Sequence, residues 1–196
     1  GDIIARAKRL KGTTIFLGGP FGSTVLGTAN IMSAAVLAEG VTIIESAACE
    51  PEIADLARLL NAMGACISGA GTPRITIKGV DELHGTEHNV LPDRIVAGTL
   101  AIGAALSRGD IELDDYPWDH LLALTHLMHE IGVMVEQVDP TQPCDRCTVR
   151  IAATGSFNPV LFTTQPYPGF PTDLQAQLMA LLCLSRGNII VTEKIY

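Results

Sequence analysis

The segment Tyr167-Pro168-Gly169-Phe170-Pro171-Thr172-Asp173-Leu174-Gln175-Ala176-Gln177 is the part of this chain best equipped for chemistry. Pro168 and Pro171 bar regular helix or strand through its first half. The apolar positions Leu174, Leu178, Met179, Leu181 and Leu182 then recur at helical spacing. Thr172 stands where an N-cap is expected, which puts Asp173 in the first turn, where the helix dipole favours an ionised carboxylate. Two roles fit such an aspartate. It can complement the dipole, or it can aim an acceptor at a ligand held at the helix mouth.

Other candidates are weaker. Cys144-Asp145-Arg146-Cys147 is a CxxC, but structural zinc takes four ligands and the sequence has no second CxxC. His120, His126 and His129 fall on a different predicted element, so an ordinary hairpin turn is expected here, and no metal or cofactor. Cys49, Cys66 and Cys183 each sit beside apolar neighbours and are expected to be buried thiols. The glycine-rich residues 18–24 lack the Gly-Lys-Thr ending of a P-loop, which argues against a nucleotide hydrolase.

The elements that must position these residues repeat. A strand is expected over 13–17, a loop over 18–24 and a helix over about 28–38 that stops at Gly40. A strand over 41–45 follows. Glu50-Pro51-Glu52 opens a second helix, with a proline and acids suited to a helix start, and Ile53, Leu56, Leu59, Leu60 and Met63 form its apolar stripe up to Gly64. Residues 65–68 and 74–78 then read as a hairpin. The order returns after Pro92-Asp93-Arg94: a helix to Gly109, a strand over 110–113, a helix over 118–131 and a hairpin of 133–137 with 148–152. A third round begins with a strand over 160–164, the Asp173 helix and a strand over 188–192. Gly40, Gly109 and Gly187 are separated by 69 and 78 residues. The local text repeats too, as Leu-Ala-Glu-Gly-Val-Thr-Ile-Ile, Leu-Ser-Arg-Gly-Asp-Ile-Glu-Leu and Leu-Ser-Arg-Gly-Asn-Ile-Ile-Val. A period of this length means stacked supersecondary units sharing burial. The unit is βαβαββ, an α/β arrangement present as two copies and half a third.

Composition agrees with a core-rich globule. Of 196 residues, 47% are hydrophobic and only 17% charged, which excludes a disordered chain. The net charge of −8 argues against a nucleic-acid partner, which calls for a basic face. No apolar run reaches membrane-spanning length, so no membrane partner is expected. Gly1-Asp2-Ile3-Ile4 lacks the layout of a signal peptide.

Four motifs together resemble one family. They are Thr28-Ala29-Asn30-Ile31-Met32, Glu50-Pro51-Glu52-Ile53, Leu91-Pro92-Asp93-Arg94 and the Pro168–Gln177 run, in that order and at close to the family's spacing. The family is the UDP-N-acetylglucosamine 1-carboxyvinyltransferases, and the resemblance extends from about Arg9 to Tyr196. It implies an inside-out α/β barrel of repeated βαβαββ units, incomplete here because the family builds two domains of three units each. Residues 1–91 would be the last unit of one domain, and 92–196 the first one and a half units of the other. The reaction implied is transfer of the enolpyruvyl group of phosphoenolpyruvate to the 3-hydroxyl of UDP-N-acetylglucosamine, in the cytoplasm, for peptidoglycan and hence cell-wall synthesis.

By the same resemblance Asp173 is the base for the attacking hydroxyl. Thr172 and Ile195 touch the sugar, the latter through its backbone. Thr24, Val25 and Leu26 lie in the loop that contacts the uridine phosphates. Arg94 and Glu50 border the cleft, each either meeting a ligand or bracing a helix start. None of Cys49, Cys66 and Cys183 matches the cysteine that serves most members as general acid, so the 196 residues alone are expected to be inactive. The loop also departs from the family: Gly22 stands for a lysine, Thr24 for a serine and Leu26 for a glycine. That opens two alternatives: a paralogue acting on another hydroxyl acceptor, such as shikimate 3-phosphate or a nucleotide, or a non-catalytic repeat scaffold. Units without their sister units leave apolar surface open, so self-association is expected.

Overall fold

The computed structural model describes Ile4, residues 6–20 and residues 22–195. The chain divides between Val90 and Leu91 into two compact units, each with its own apolar core.

The first unit runs β1 (Thr14–Phe16), α1 (Val25–Ala35), β2 (Val41–Glu45), α2 (Pro51–Ala62), β3 (Cys66–Ser68) and β4 (Arg74–Lys78). Its sheet has the order β1-β2-β4-β3, with β1 parallel to β2 and the other pairs antiparallel. Alternation sets the faces: Thr42 and Ile44 of β2 point into the core with Ile75 and Ile77 of β4. The helices close that core with Met32 and Ala35 from α1 and with Ile53, Ala57 and Leu60 from α2. Thr28, fully buried on α1, donates to Thr24 O (2.8 Å) and accepts from Ala48 N (3.0 Å).

The second unit runs α3 (Arg94–Leu106), β5 (Asp110–Tyr116), a 3-10 turn (Trp118–His120), α4 (Leu122–Ile131), β6 (Met134–Gln137), β7 (Cys147–Ala152), β8 (Leu161–Thr163), a second 3-10 turn (Thr172–Leu174), α5 (Gln175–Leu182) and β9 (Ile190–Thr192). The sheet order β5-β7-β6 reproduces β2-β4-β3, and the parallel pair β8–β9 reproduces β1–β2. The repeat read from the sequence is therefore a repeat of structure, with α1, α3 and α5 as equivalent helices, except that among the described residues the second copy is αβαββ, with no strand equivalent to β1 between β4 and α3.

Several local expectations are corrected. Helix α1 starts at Val25 rather than Thr28, because Thr24 caps it by accepting from Gly27 N (3.2 Å). It ends at Ala35, and a turn carries the chain on to Gly40. The helix expected over 118–131 breaks into the 3-10 turn and α4, with Leu121 between them in neither helical conformation. After α3 the left-handed residue is Arg108 (φ 54°), not Gly109. Arg108 sits over the Phe157 ring and donates to Gly155 O, contacts that hold an unfavourable backbone conformation. Strand β5 extends beyond 113 to Tyr116 across a bulge after Leu113.

The cysteines also differ. Cys66 and Cys183 are exposed and Cys49 is half-buried. On β3 the alternation turns Ile67 inward and Cys66 outward. Cys144 and Cys147 are free thiols in and beside the β6–β7 hairpin loop, and Gln137 Nε2 lies 3.7 Å from each sulfur.

Tyr116, with no exposed surface, lies in the second core with its hydroxyl and that of Thr125 buried and poorly partnered. Burial pushes its phenol up to about 12. The folded chain then keeps a proton that the unfolded chain releases near pH 10. Stability linked to this group is complete below about pH 10 and is lost as pH climbs towards 12. Tyr116→Phe is therefore expected to flatten the alkaline fall of the melting temperature. A variant that loses stability between pH 10 and 12 as steeply as wild type would show that another group governs that limb.

Candidate active site

Most of the sequence-derived candidates fall at equivalent places, the N-terminal ends of α1, α3 and α5; Ile195 follows β9 and Glu50 opens α2. Thr24, Val25 and Leu26 belong to the first unit; Arg94, Thr172, Asp173 and Ile195 belong to the second.

In the first unit Thr24 is spent on capping α1, while Val25 and Leu26 form its first turn. Leu26 is 76% exposed, a costly position for a large apolar side chain unless something covers it. Glu50, at the start of α2, is buried, makes no side-chain cap bond and leaves Oε2 without a hydrogen-bond partner. Burial and then the neighbouring Glu50 charge push the Cys49 thiol up, so it stays protonated at neutral pH.

In the second unit Asp93 caps α3 by accepting from Ile95 N (2.8 Å) and Val96 N (3.1 Å). Arg94 follows as the first helical residue and is buried. Its guanidinium lies 5.7 Å from the centre of the Tyr167 ring, within cation–π range. The Tyr167 hydroxyl is 3.2 Å from His120 Nδ1. Three segments thus meet on one aromatic ring: the start of α3, the turn before α4 and the proline loop. Arg94 acts here as a brace on that loop.

Past the ring, Phe170 plugs the core with its edge to Phe162 at 4.9 Å, and Gln165 N donates to Phe170 O (2.9 Å). Thr172 and Asp173 then begin a 3-10 turn rather than an α-helix. The Thr172 side chain does not cap anything: its hydroxyl donates to Glu193 Oε2 (2.9 Å). Asp173 is exposed, and its backbone carbonyl accepts from Gln177 Nε2 (2.9 Å). Ile195 reaches the same place through Glu193, because Ile195 N donates to Glu193 Oε1 (2.5 Å). Any backbone contact from Ile195 to a ligand then falls to its carbonyl. Glu193 links the Thr172 hydroxyl to the Ile195 backbone, with Asp173 the next residue after Thr172, and it gave no signal in the sequence: the two hydroxyls that donate to it, those of Thr172 and Thr164, are 21 and 29 residues away.

Helix packing fixes the height of this turn. Leu174, fully buried, sits against Gly98 of α3: a Cβ on Gly98 would stand 2.7 Å from Leu174 Cδ1 and 3.0 Å from Leu124 Cδ2. One turn on, Gln177 Nε2 donates to Thr99 Oγ1 (3.1 Å). The arrangement offers an exposed carboxylate on a turn held from three sides. It suits accepting a proton or hydrogen bond from a hydroxyl. Among the described residues no group of three or more His, Cys, Asp or Glu is placed to hold a metal ion, and no helix is long and apolar enough to cross a membrane.

The profile of the EPSP synthase (3-phosphoshikimate 1-carboxyvinyltransferase) family matches residues 2–196. The chain belongs to that family. Curated relatives similar to it are called UDP-N-acetylglucosamine 1-carboxyvinyltransferase. One from Methylacidiphilum infernorum is 43% identical over the whole chain, one from Staphylococcus aureus 48% and one from Carboxydothermus hydrogenoformans 50%. The chain spans 44–45% of the length of these relatives. Among solved structures, the enolpyruvyl transferase NikO from Streptomyces tendae covers 96% of the chain, and the chain 45% of it, with TM-score 0.78 at 22% identity. EPSP synthase from Acinetobacter baumannii covers 93% of the chain, and the chain 40% of it, with TM-score 0.60 at 19% identity. These two likenesses show the fold: the α/β architecture of the enolpyruvyl transferases, incomplete in this chain.

Gly98→Ala tests the packing that sets the turn. The added methyl gains up to about 1 kcal/mol of helix propensity but overpacks a site with no spare volume, at about 1–3 kcal/mol. Overpacking wins, so the melting temperature is expected to fall. A rise would show that Leu174 has room to move and that the turn is not fixed by α3.

Proposed function

We propose that this chain contributes to an enolpyruvyl transferase that joins phosphoenolpyruvate to the 3-hydroxyl of UDP-N-acetylglucosamine. The observation that carries the reading is the match of the whole chain, at 43–50% identity, to relatives bearing that activity as their name. On this reading residues 1–91 are the last βαβαββ unit of one domain and 92–196 the first one and a half units of the next. The work is cytoplasmic and feeds peptidoglycan synthesis and so the maintenance of cell shape.

The chemistry asks for three proton movements: one onto C3, one back off it and one from the acceptor hydroxyl. The acceptor oxygen attacks C2 of phosphoenolpyruvate while C3 takes up a proton, giving a tetrahedral adduct. C3 then loses that proton as the C2–O bond to phosphate breaks, leaving the enolpyruvyl ether and free phosphate. Asp173 takes the proton of the attacking hydroxyl. An exposed carboxylate is a weak base near neutrality, so this proton leaves late, as the new C–O bond forms, or after closure over the substrate dries the site. Thr172 and the Ile195 backbone hold the sugar beside it. Thr24, Val25 and Leu26 meet the uridine phosphates, and Arg94 serves the site through the proline loop.

A second reading has support at the α1 end. Gly22 offers no cation and Leu26 no close backbone approach, both of which suit a different acceptor better than a uridine diphosphate. Assaying phosphate release by the whole polypeptide encoded by the reading frame that includes this chain, with UDP-N-acetylglucosamine and with shikimate 3-phosphate, separates the two. The faster acceptor identifies the branch, and no release with either removes both.

Asp173→Asn in the whole polypeptide encoded by the reading frame that includes this chain tests the base. It is expected to lower kcat by about 10²–10⁴ with little change in acceptor KM, since the amide oxygen still accepts a hydrogen bond. If Asp173 only complements a helix start, kcat per folded molecule stays near wild type and stability drops by about 0.3–1 kcal/mol.

The 196 residues by themselves are expected to release no phosphate. They are also expected to self-associate in sedimentation, since Leu161 and Ile190 stand side by side and exposed on the two-stranded sheet. Turnover above background, or a clean monomer at high concentration, would count against the respective half of this expectation.

A further inference from the structure

Glu193 follows β9 and is partly buried. Three donors converge on it. Thr164 Oγ1 donates to Oε1 at 2.7 Å, Ile195 N donates to Oε1 at 2.5 Å and Thr172 Oγ1 donates to Oε2 at 2.9 Å. Thr164 is itself fully buried and accepts from Lys194 N at 3.0 Å.

The directions of these bonds are not free. A backbone N–H only donates, so Lys194 N fixes Thr164 Oγ1 as its acceptor and sends the Thr164 proton to Oε1. Ile195 N also only donates, and also to Oε1. At neutral pH an ionised glutamate has only lone pairs to offer, so the Thr172 hydroxyl has one way to meet Oε2: it gives up its proton. We propose that Glu193 is a positioning residue that fixes the direction of the Thr172 hydroxyl, so that Thr172 faces the acceptor substrate with lone pairs only and selects a hydrogen-bond donor on it. This rests on the functional reading above, in which Thr172 lies against the sugar.

The network dictates what a near-isosteric change does. In Glu193→Gln the two fixed donors at Oε1 require the amide oxygen to lie there. The amide nitrogen then occupies the place of Oε2 and donates to Thr172 Oγ1. Thr172 must turn its proton away from residue 193 and towards whatever lies in front of it. A donor on the substrate then meets a donor on the protein. Volume and these three contacts are preserved, and the polarity at Thr172 is reversed. Glu193→Asp keeps an acceptor-only group on a shorter stem and so retains the direction.

The experiment uses the whole polypeptide encoded by the reading frame that includes this chain. It is prepared as wild type, E193Q, E193D, T172V, T172S and the E193Q/T172V pair. Initial rates of phosphate release are measured against UDP-N-acetylglucosamine at saturating phosphoenolpyruvate. E193Q is expected to raise the acceptor KM about tenfold, the scale of one buried hydrogen bond gained or lost. Its kcat should change less and its melting temperature stay close to wild type. E193D should recover part of the affinity, T172V should match E193Q, and T172S should stay near wild type. The pair should be no worse than T172V alone, because the direction of an absent hydroxyl has no consequence.

An unchanged KM in E193Q, additive losses in the pair, or a KM that rises only where stability falls would each overturn the proposal. If E193Q does not fold, the Thr172 variants decide: equal KM values for T172V and wild type overturn it. A wild type that does not turn over UDP-N-acetylglucosamine overturns the functional reading and the proposal with it. A wild type that turns over while E193Q keeps its KM overturns the proposal alone.

Discussion

The seat of Leu174 on Gly98 is the constraint from which the geometry of the second unit's proline loop and Asp173 turn follows. Helix α3 is built of small residues on its inner face, with Gly98, Ala101, Ala104 and Ala105 buried in sequence along it. That lets α5 and the turn before it approach closely, and Leu174 fills the hollow over Gly98. Asp173 is the residue immediately before the anchored leucine, so its height above the core is set by one side chain packing against one missing side chain. Phe170 fixes the other end of the proline loop in the same core, and the Tyr167 ring between Arg94 and His120 steadies the middle. An exposed carboxylate held this way loses little conformational freedom on meeting a ligand, which is where positioned groups gain their advantage.

The repeat explains why the candidates fall where they do. Helices α1, α3 and α5 are equivalent members of successive units, and the residues that the family resemblance singled out, Glu50 at the start of α2 and Ile195 apart, lie in the first turn of one of them or immediately before it. A unit of this kind presents the start of its first helix at the same edge each time. Duplication therefore multiplies one local geometry, and divergence at that edge alters chemistry without disturbing the shared core.

Much of the fold was legible because it rests on local periodicity. The strands 41–45 and 74–78 have the bounds that their alternation predicts, since one face of each must reach a core containing Ile44, Ile75 and Ile77. Helix α2 was legible from its proline and acids. What failed was decided at a distance or by a single bond. The start of α1 was hidden behind a glycine-rich run, and only the Thr24-to-Gly27 contact separates a loop from a first turn. Thr172 carries the residue type and position of a cap, yet its hydroxyl is claimed by Glu193, 21 residues away. Cys66 and Cys183 are apolar by type and exposed by place. A thiol is small enough to stand on either face of a short element, and only the register decides which.

The three equivalent helix starts are chemically different. An α-helix begins with four backbone N–H groups that lack intrahelical partners. At α3, Asp93 satisfies two of them from one carboxylate oxygen and adds a negative charge, so that end is closed to an anion. Its next residue, Arg94, is correspondingly turned to bracing a loop. At α1, Thr24 satisfies one donor with a neutral hydroxyl and brings no charge, which leaves that end compatible with a phosphate. At α5 a 3-10 turn replaces the first α-turn, and the acid that stands there does not fold back to cap it but stays exposed. One end is closed to an anion, one carries a neutral cap and one presents an exposed carboxylate. These differences arise from three residues, Thr24, Asp93 and Asp173, on one repeated scaffold.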